Sequence, residues 1–127
     1  MPNYGVAQAG SNATAGLNLT TLQPGDTMLL FNAESPAAPQ ASVAFARGYS
    51  PSGDDAGITF QISFAVAPTA VVAIQGSNVD LDAAYETLYT STNVQFDNYT
   101  DTTRWAFYRA KLVTQSAGGA LTVRVQR

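Results

Sequence analysis

The segment 58–66 constrains the fold of this chain more than any other, because apolar and polar side chains alternate along it without interruption. Its sequence is ITFQISFAV, and its alternating apolar residues are Ile58, Phe60, Ile62, Phe64 and Val66. A repeat of two residues is typical of a β-strand with one face on the core and the other toward solvent. The segment therefore predicts a core strand at the centre of a β-rich chain.

Short β-prone segments continue on both sides of this strand, and Gly, Pro, Asn and Ser interrupt them as turn residues do. The further predicted strands are 27–32, 41–47, 70–75, 85–89, 94–99, 103–113 and a last strand that carries Leu121, Val123 and Val125. Short strands at such regular spacing predict an all-β antiparallel β-sandwich. A jelly-roll and an immunoglobulin-like arrangement fit this pattern equally well.

The strand pattern also predicts how some segments are placed. Segment 70–75 (AVVAIQ) is apolar on both faces, as in a central strand. Within segment 41–47, Val43 and Phe45 are expected to share one face.

Three connections carry predictions of their own. The strands on either side of Ser91-Thr92-Asn93 are expected to pair as a hairpin. Gly118-Gly119 is expected to turn the chain into its last strand. A short helix over 80–88 (DLDAAYETL) is a second possibility beside the strand, because Asp residues lie near its start.

The first 26 residues differ from the rest in that they show no sustained period and carry a single charge, Asp26. We predict an extended N-terminal arm over residues 1–26 and a sandwich domain over residues 27–127. Leu17, Leu19 and Leu22 would anchor this arm against a neighbouring subunit. A frayed terminus is the alternative, since chain ends are poorly ordered unless they are tied down.

Composition removes most catalytic chemistry. The chain has no His and no Cys, so the commonest general base, the thiolate nucleophile, disulfides and His/Cys zinc sites are excluded. The acids Asp80, Asp82 and Glu86 lie close in sequence, but their spacing does not match a calcium loop. We expect no catalytic residue, metal or cofactor, and we do not expect an enzyme.

Charge and hydropathy limit the classes of partner that we expect this chain to bind. A net charge of −3 with Lys111 as the single lysine offers no basic surface for nucleic acid. No run of roughly 20 apolar residues is present to span a bilayer, and the first residues, MPNYGVAQAG, do not resemble a signal peptide. A surface with 12% charged residues is weakly protected against association, which favours a homo-oligomeric structural role.

The segment 103–113 predicts a surface for such association. If Tyr108 points to the core, alternation places Trp105, Phe107 and Arg109 together on the opposite face. An exposed aromatic and cationic stripe usually contacts a partner. Alternatively, both faces of this strand are covered, by a loop or by the N-terminal arm.

The second half of the chain resembles small virion proteins of tailed bacteriophages. The resemblance rests on a strand ending in QGS, an acidic loop, a TL strand, a YRA.L strand and a glycine-containing hairpin. The matching positions are Gln75, Gly76, Ser77, Thr87, Leu88, Tyr108, Arg109, Ala110, Leu112, Gly118, Gly119, Val123 and Val125. Where the pattern usually carries a DG.NW-like loop, this chain has NVDLD at 78–82, so no ligand role for the loop carries over.

The resemblance implies a non-enzymatic virion component that is assembled in the host cytoplasm, either a capsid decoration (cement) protein, which we favour, or a tail-accessory protein. Its partners would be the major capsid protein or other virion proteins. The alternative is a carbohydrate-binding sandwich of a tail, which would use the Tyr and Trp residues with Asp80 and Asp82 as polar contacts.

Overall fold

The computed structural model describes residues 20–48 and 57–127, and strands dominate these ranges. In chain order the strands are β1 (Thr20–Leu22), β2 (Thr27–Glu34), β3 (Gln40–Ala41), β4 (Phe45–Arg47), β5 (Ile58–Phe64), β6 (Thr69–Ser77), β7 (Glu86–Thr92), β8 (Phe96–Asp101), β9 (Phe107–Ala117) and β10 (Leu121–Gln126). A single 3₁₀ turn, Asp82–Ala84, precedes β7. The predicted all-β class is confirmed.

The strands form two sheets that pack face to face. The larger sheet has the order β1-β4-β9-β6-β7, and β3 also pairs with β9. The smaller sheet has the order β2-β10-β5-β8. Neighbouring strands are antiparallel, except that β1 runs parallel to β4.

The core lies between the sheets and is centred on aromatic rings. The ring of Phe60 on β5 lies 6.2 Å from that of Phe45 on β4 and 5.8 Å from that of Tyr108 on β9, measured between centroids. Each fully buried side chain of this size stabilises the fold by about 1.5–3 kcal/mol. The smaller sheet and the larger sheet are therefore joined by direct packing of large side chains.

The alternation that predicted β5 is confirmed over Ile58–Phe64, whose four apolar side chains are buried. It fails at Val66, which is 58% exposed. The strand ends at Phe64, since the next two backbone N–H groups bond to the β9–β10 connection, from Ala65 to Ala120 and from Val66 to Gly118. A side chain beyond the last residue of a strand no longer follows its alternation.

The hairpin predicted around Ser91-Thr92-Asn93 is wrong, whereas the turn predicted at Gly118-Gly119 does lead into the last strand, β10. β7 pairs with β6 and β8 pairs with β5, so the connection around Asn93 crosses from one sheet to the other. Asn93 holds this crossing with two hydrogen bonds to Ala70, donating from its backbone N–H and accepting at Oδ1. Gly118-Gly119 also links the two sheets, with φ values of 131° and 71° that favour glycine.

The central strand is confirmed, because β6 lies between β9 and β7 with Val72, Ala73 and Ile74 all buried. The predicted strand 41–47 is instead broken into β3 and β4, and Val43 is exposed while Phe45 is buried. The break is at Ser42, whose Oγ takes the place of a backbone acceptor for the N–H of Ala110. The segment 80–88 forms neither a continuous helix nor a continuous strand, only the 3₁₀ turn followed by β7.

Part of the predicted arm belongs to the sandwich. Thr20–Leu22 forms β1 at the edge of the larger sheet, and Leu22 is buried in the core. Residues 1–19, which carry Leu17 and Leu19, lie outside the described residues.

Candidate interaction surfaces

The side chains of β9 alternate as predicted between the core and the outer face of the larger sheet. Tyr108, Ala110 and Leu112 are completely buried in the core. Phe107 and Arg109 therefore point outward, between β4 and β6. The outward face differs from the prediction at Arg109, which is only 8% exposed.

Arg109 is covered by the connection between β6 and β7, residues 78–85. Its Nε donates to Oε1 of Gln75 at 2.8 Å, and its Nη1 donates to Oδ1 of Asp82 at 2.7 Å. Its guanidinium carbon lies 4.1 Å from the ring centroid of Tyr85, a cation–π contact. We call these four side chains the arginine clasp, because they hold the connection against the outer face of its own sheet.

The electrostatics of the arginine clasp follow from these contacts. The hydrogen bond and the charge of Arg109 lower the pKa of the Asp82 carboxyl. Burial raises the pKa of the Tyr85 hydroxyl, and its hydrogen bond to Oδ1 of Asp80, 2.7 Å long, raises it further. Both groups thus keep their neutral-pH charge states, and each guanidinium nitrogen of Arg109 donates a hydrogen bond within the chain.

Trp105 lies apart from Phe107 and Arg109. β9 begins at Phe107, so alternation does not extend back to Trp105, which packs against the edge of the core. It fits there because Gly76 has no side chain: a Cβ at Gly76 would lie 2.8 Å from Cγ of Trp105. Of the predicted stripe, Phe107 is half-buried and keeps part of its surface toward solvent.

A buried carboxylate, Asp101, was missed by sequence reasoning. Its oxygens accept hydrogen bonds from the hydroxyls of Tyr108 at 2.6 Å, Tyr99 at 2.8 Å and Thr103 at 2.8 Å. Burial by itself raises the pKa of Asp101, but these hydrogen bonds outweigh it and hold the pKa below its ordinary value. Asp101 therefore ties β8 to β9 across the two sheets.

The aromatic residues proposed for sugar stacking are occupied by contacts within the chain. Tyr85 lies under Arg109, Tyr89 stacks on Tyr99 with centroids 4.8 Å apart, and Tyr108 is buried. Asp80 and Asp82 bond to Tyr85 and Arg109. Among the described aromatic residues, Phe96 is the exposed one, at 71%.

At one end of the sandwich the connections carry no charge, and the exposed Glu34 at the end of β2 is adjacent to them. This end is formed by four connections, 35–39, 65–68, 93–95 and 118–120, which contain no Asp, Glu, Lys or Arg. We call it the uncharged end. Hydrogen bonds from the Val66 N–H to the Gly118 carbonyl and from Gln95 Nε2 to the Ala65 carbonyl join three of the connections. Val66 and Val94 are exposed there.

The remaining connection of the uncharged end, 35–39, borders a shallow depression that it shares with the end of β9 and with Gly119. The depression has a volume of about 340 Å³, and its lining residues are Ser35, Pro36, Ala37, Ala38, Gln115, Ser116, Ala117 and Gly119. The opposite end is charged: its connections 78–85 and 102–106 carry Asp80, Asp82 and Arg104. The molecule is thus polarised along the strand direction.

Within residues 20–48 and 57–127, no cluster of three or more acidic side chains is placed to hold a metal ion. No helix of these ranges has the length and apolar character needed to cross a membrane. In comparisons with protein-family models, curated proteins and solved structures, the chain matches none of them.

Proposed function

We propose that this chain is a non-enzymatic structural component of a bacteriophage virion, a capsid decoration protein that binds the shell as a homo-oligomer and stabilises it. The observation that carries the proposal is the uncharged end. Burying a charge against a partner costs free energy unless the charge is paired. Four connections that expose Ala, Pro and Val without any charge therefore suit a surface that is covered in an assembly.

The strand order supports a jelly-roll, an architecture used by viral capsid domains and by lectins. The antiparallel pairs are nested: β2 with β10, β4 with β9, β5 with β8 and β6 with β7. When this nested set of strand pairs folds over into two layers, the pairs fall alternately into one sheet and the other, which gives the two observed strand orders. An immunoglobulin-like sandwich distributes its strands differently, as ABED and CFG sheets.

The segments that carry the phage resemblance coincide with elements of the larger sheet. Gln75, Gly76 and Ser77 end β6, Thr87 and Leu88 lie in β7, and the YRA.L residues lie in β9. The glycine-containing segment departs from the pattern, because it joins two sheets and not two paired strands.

This proposal places the main interface elsewhere than the stripe predicted from alternation along segment 103–113. Arg109 is held by the arginine clasp, so the uncharged end takes over as the main docking surface. Phe107 keeps part of its surface exposed and remains a candidate for a secondary contact with a partner. Leu17 and Leu19 stay predicted contacts of the arm.

Quantitative mass spectrometry of virions from the phage that encodes this sequence tests the proposal. A decoration protein is expected in copy numbers comparable with those of the major capsid protein. Absence of the chain from purified virions would overturn the proposal.

A matched pair of variants tests the docking surface. Val66→Asp places a charge at the uncharged end, and Val79→Asp places the same charge at the opposite end, where Val79 is also exposed. We expect Val66→Asp to weaken binding to virions grown without the protein by about tenfold or more, and Val79→Asp to leave it unchanged. Equal effects of the two variants would contradict the assignment of this end.

A further inference from the structure

The outer face of the smaller sheet is a regular array of uncharged polar side chains. Strands β8, β5 and β10 pair in register, so their outward residues form three cross-strand rows. The rows are Phe96, Ser63 and Thr122; Asn98, Gln61 and Arg124; and Thr100, Thr59 and Gln126. Neighbouring strands lie about 4.8 Å apart, so the side chains of one row lie close together.

This polar array offers many hydrogen-bonding groups to an outside ligand. The Thr59 and Thr100 hydroxyls bond to each other at 2.8 Å, whereas the amide groups of Gln61 and Asn98 make no side-chain hydrogen bond within the described residues. Both amides lie on exposed residues of the middle row. Each amide supplies two donors and one acceptor that accepts two bonds, so the middle row is suited to a ligand rich in hydroxyl groups.

Arg124 is the single charged residue of the polar array, and it has no acidic partner within ion-pair distance among the described residues. Its register neighbours are Gln61 on β5 and Leu29 on β2, neither of which carries a charge. A guanidinium binds a carboxylate through two parallel hydrogen bonds. Charge complementarity therefore selects a ligand with an isolated carboxylate.

Phe96 completes the array at its edge, where its exposed ring offers a flat apolar surface. Sugar rings present both hydroxyl groups and an apolar face, so they fit amides beside such a ring. A protein partner fits less well, because protein interfaces have an apolar centre and the centre of this face is polar. A nucleic acid would need several cations to neutralise its phosphates.

From this combination we infer that the outer face of the smaller sheet binds a polysaccharide in which single uronic-acid-type sugars are separated by neutral sugars. Arg124 holds the carboxylate, Gln61 and Asn98 bind ring hydroxyls, and Phe96 packs against a sugar ring. This binding goes beyond the proposed virion role and does not depend on it, because the uncharged end and the polar array are different surfaces.

Affinity electrophoresis and calorimetry of the full chain test the inference with hyaluronan, gellan and xanthan as probes, in which neutral sugars separate the uronic acids. Fully methyl-esterified hyaluronan serves as the matched probe without carboxylates. We expect binding to at least one carboxylated polymer and binding weaker by about tenfold or more to the esterified form. No binding to any of the three carboxylated polymers would overturn the inference, and so would equal binding to the esterified polymer.

Matched variants locate the site. Arg124→Gln is expected to weaken binding by about tenfold or more, while Arg104→Gln removes the same charge from an exposed connection elsewhere and should leave binding intact. Gln61→Ala and Phe96→Ala should each weaken binding of the polysaccharide severalfold.

Equal losses for Arg124→Gln and Arg104→Gln would show an effect of net charge and overturn the site. Virion binding by Arg124→Gln should remain normal, which keeps failure of this site distinguishable from failure of the proposed function.

Discussion

The two outer faces of the sandwich each carry an outward-pointing arginine, and the two arginines have opposite surroundings. On the larger sheet, Arg109 is buried by the connection 78–85 and bonded to Gln75 and Asp82. On the smaller sheet, Arg124 is exposed among uncharged side chains. An arginine on a solvent face is thus a structural element where a connection folds back over it, and a ligand-binding candidate where the face stays open.

The largest expected effect separates these two arginines by their contribution to stability. Arg109→Ala removes the centre of the arginine clasp, leaves Gln75 without its donor and uncovers apolar surface, so it should lower the free energy of unfolding by about 3 kcal/mol. Urea denaturation followed by circular dichroism measures this loss. A loss below about 1 kcal/mol would mean that the connection is held by other contacts.

A second prediction concerns Asp101, which joins strands of the two sheets. Asp101→Asn weakens three charge-assisted hydrogen bonds and should cost about 2 kcal/mol at neutral pH. Because the folded-state pKa is lowered, the stabilisation by Asp101 is present above the unfolded pKa of about 4 and is lost as the pH falls through the folded value. Urea midpoints between neutral and acidic pH should fall more steeply for the native chain than for Asp101→Asn. Parallel curves would contradict the assignment.

A third prediction uses the single tryptophan as a probe. Gly76→Ala places a Cβ 2.8 Å from Cγ of Trp105 and 3.0 Å from Cδ1 of Leu88, so Trp105 must move outward. We expect a loss of about 1–2 kcal/mol together with a red shift of the tryptophan fluorescence in the folded protein. An unchanged spectrum at reduced stability would place the strain elsewhere.

A smaller effect is expected at the exposed end of the arginine clasp. Asp82→Asn removes the ion pair with Arg109 and should destabilise the protein less than Arg109→Ala, because the Asp82 side chain is exposed to solvent. The difference from the native chain should shrink as salt is raised to about 1 M, since screening weakens exposed pairs. A salt-independent loss would show that the bond acts through geometry and not through charge.

The smallest effect completes the comparison between the faces. Arg124→Ala should change the free energy of unfolding by no more than about 0.5 kcal/mol, because no partner among the described residues loses a contact. Thermal and urea unfolding beside Arg109→Ala check this directly. A loss comparable with that of Arg109→Ala would show that Arg124 also stabilises the fold, so that the two arginines would not differ in their contribution to stability.

Sequence reasoning predicted the all-β class, the core strand over 58–66, which is confirmed as far as Phe64, and the alternation along β9. Each depends on local alternation, which is visible in a single segment. The placement of Trp105 was not predictable in this way, because it depends on the start of β9 and on the gap above Gly76. No sequence pattern indicated that Asp101 is buried either, because its contact with Tyr108 depends on how β8 and β9 lie relative to each other.

The sequence by itself determined which side chains of each strand are apolar and therefore which face of the strand is buried, because the two-residue repeat follows from backbone geometry. The tertiary structure decided which strands pair. Asn93 carries the chain between sheets where a hairpin was expected, and the turn at the two glycines 118–119 also leads from one sheet to the other. It also decided that Arg109 meets Asp82 across 27 positions while Arg124 stays open. Contacts between distant segments depend on which strands pair and on how the two sheets pack. A local two-residue repeat carries no information about either.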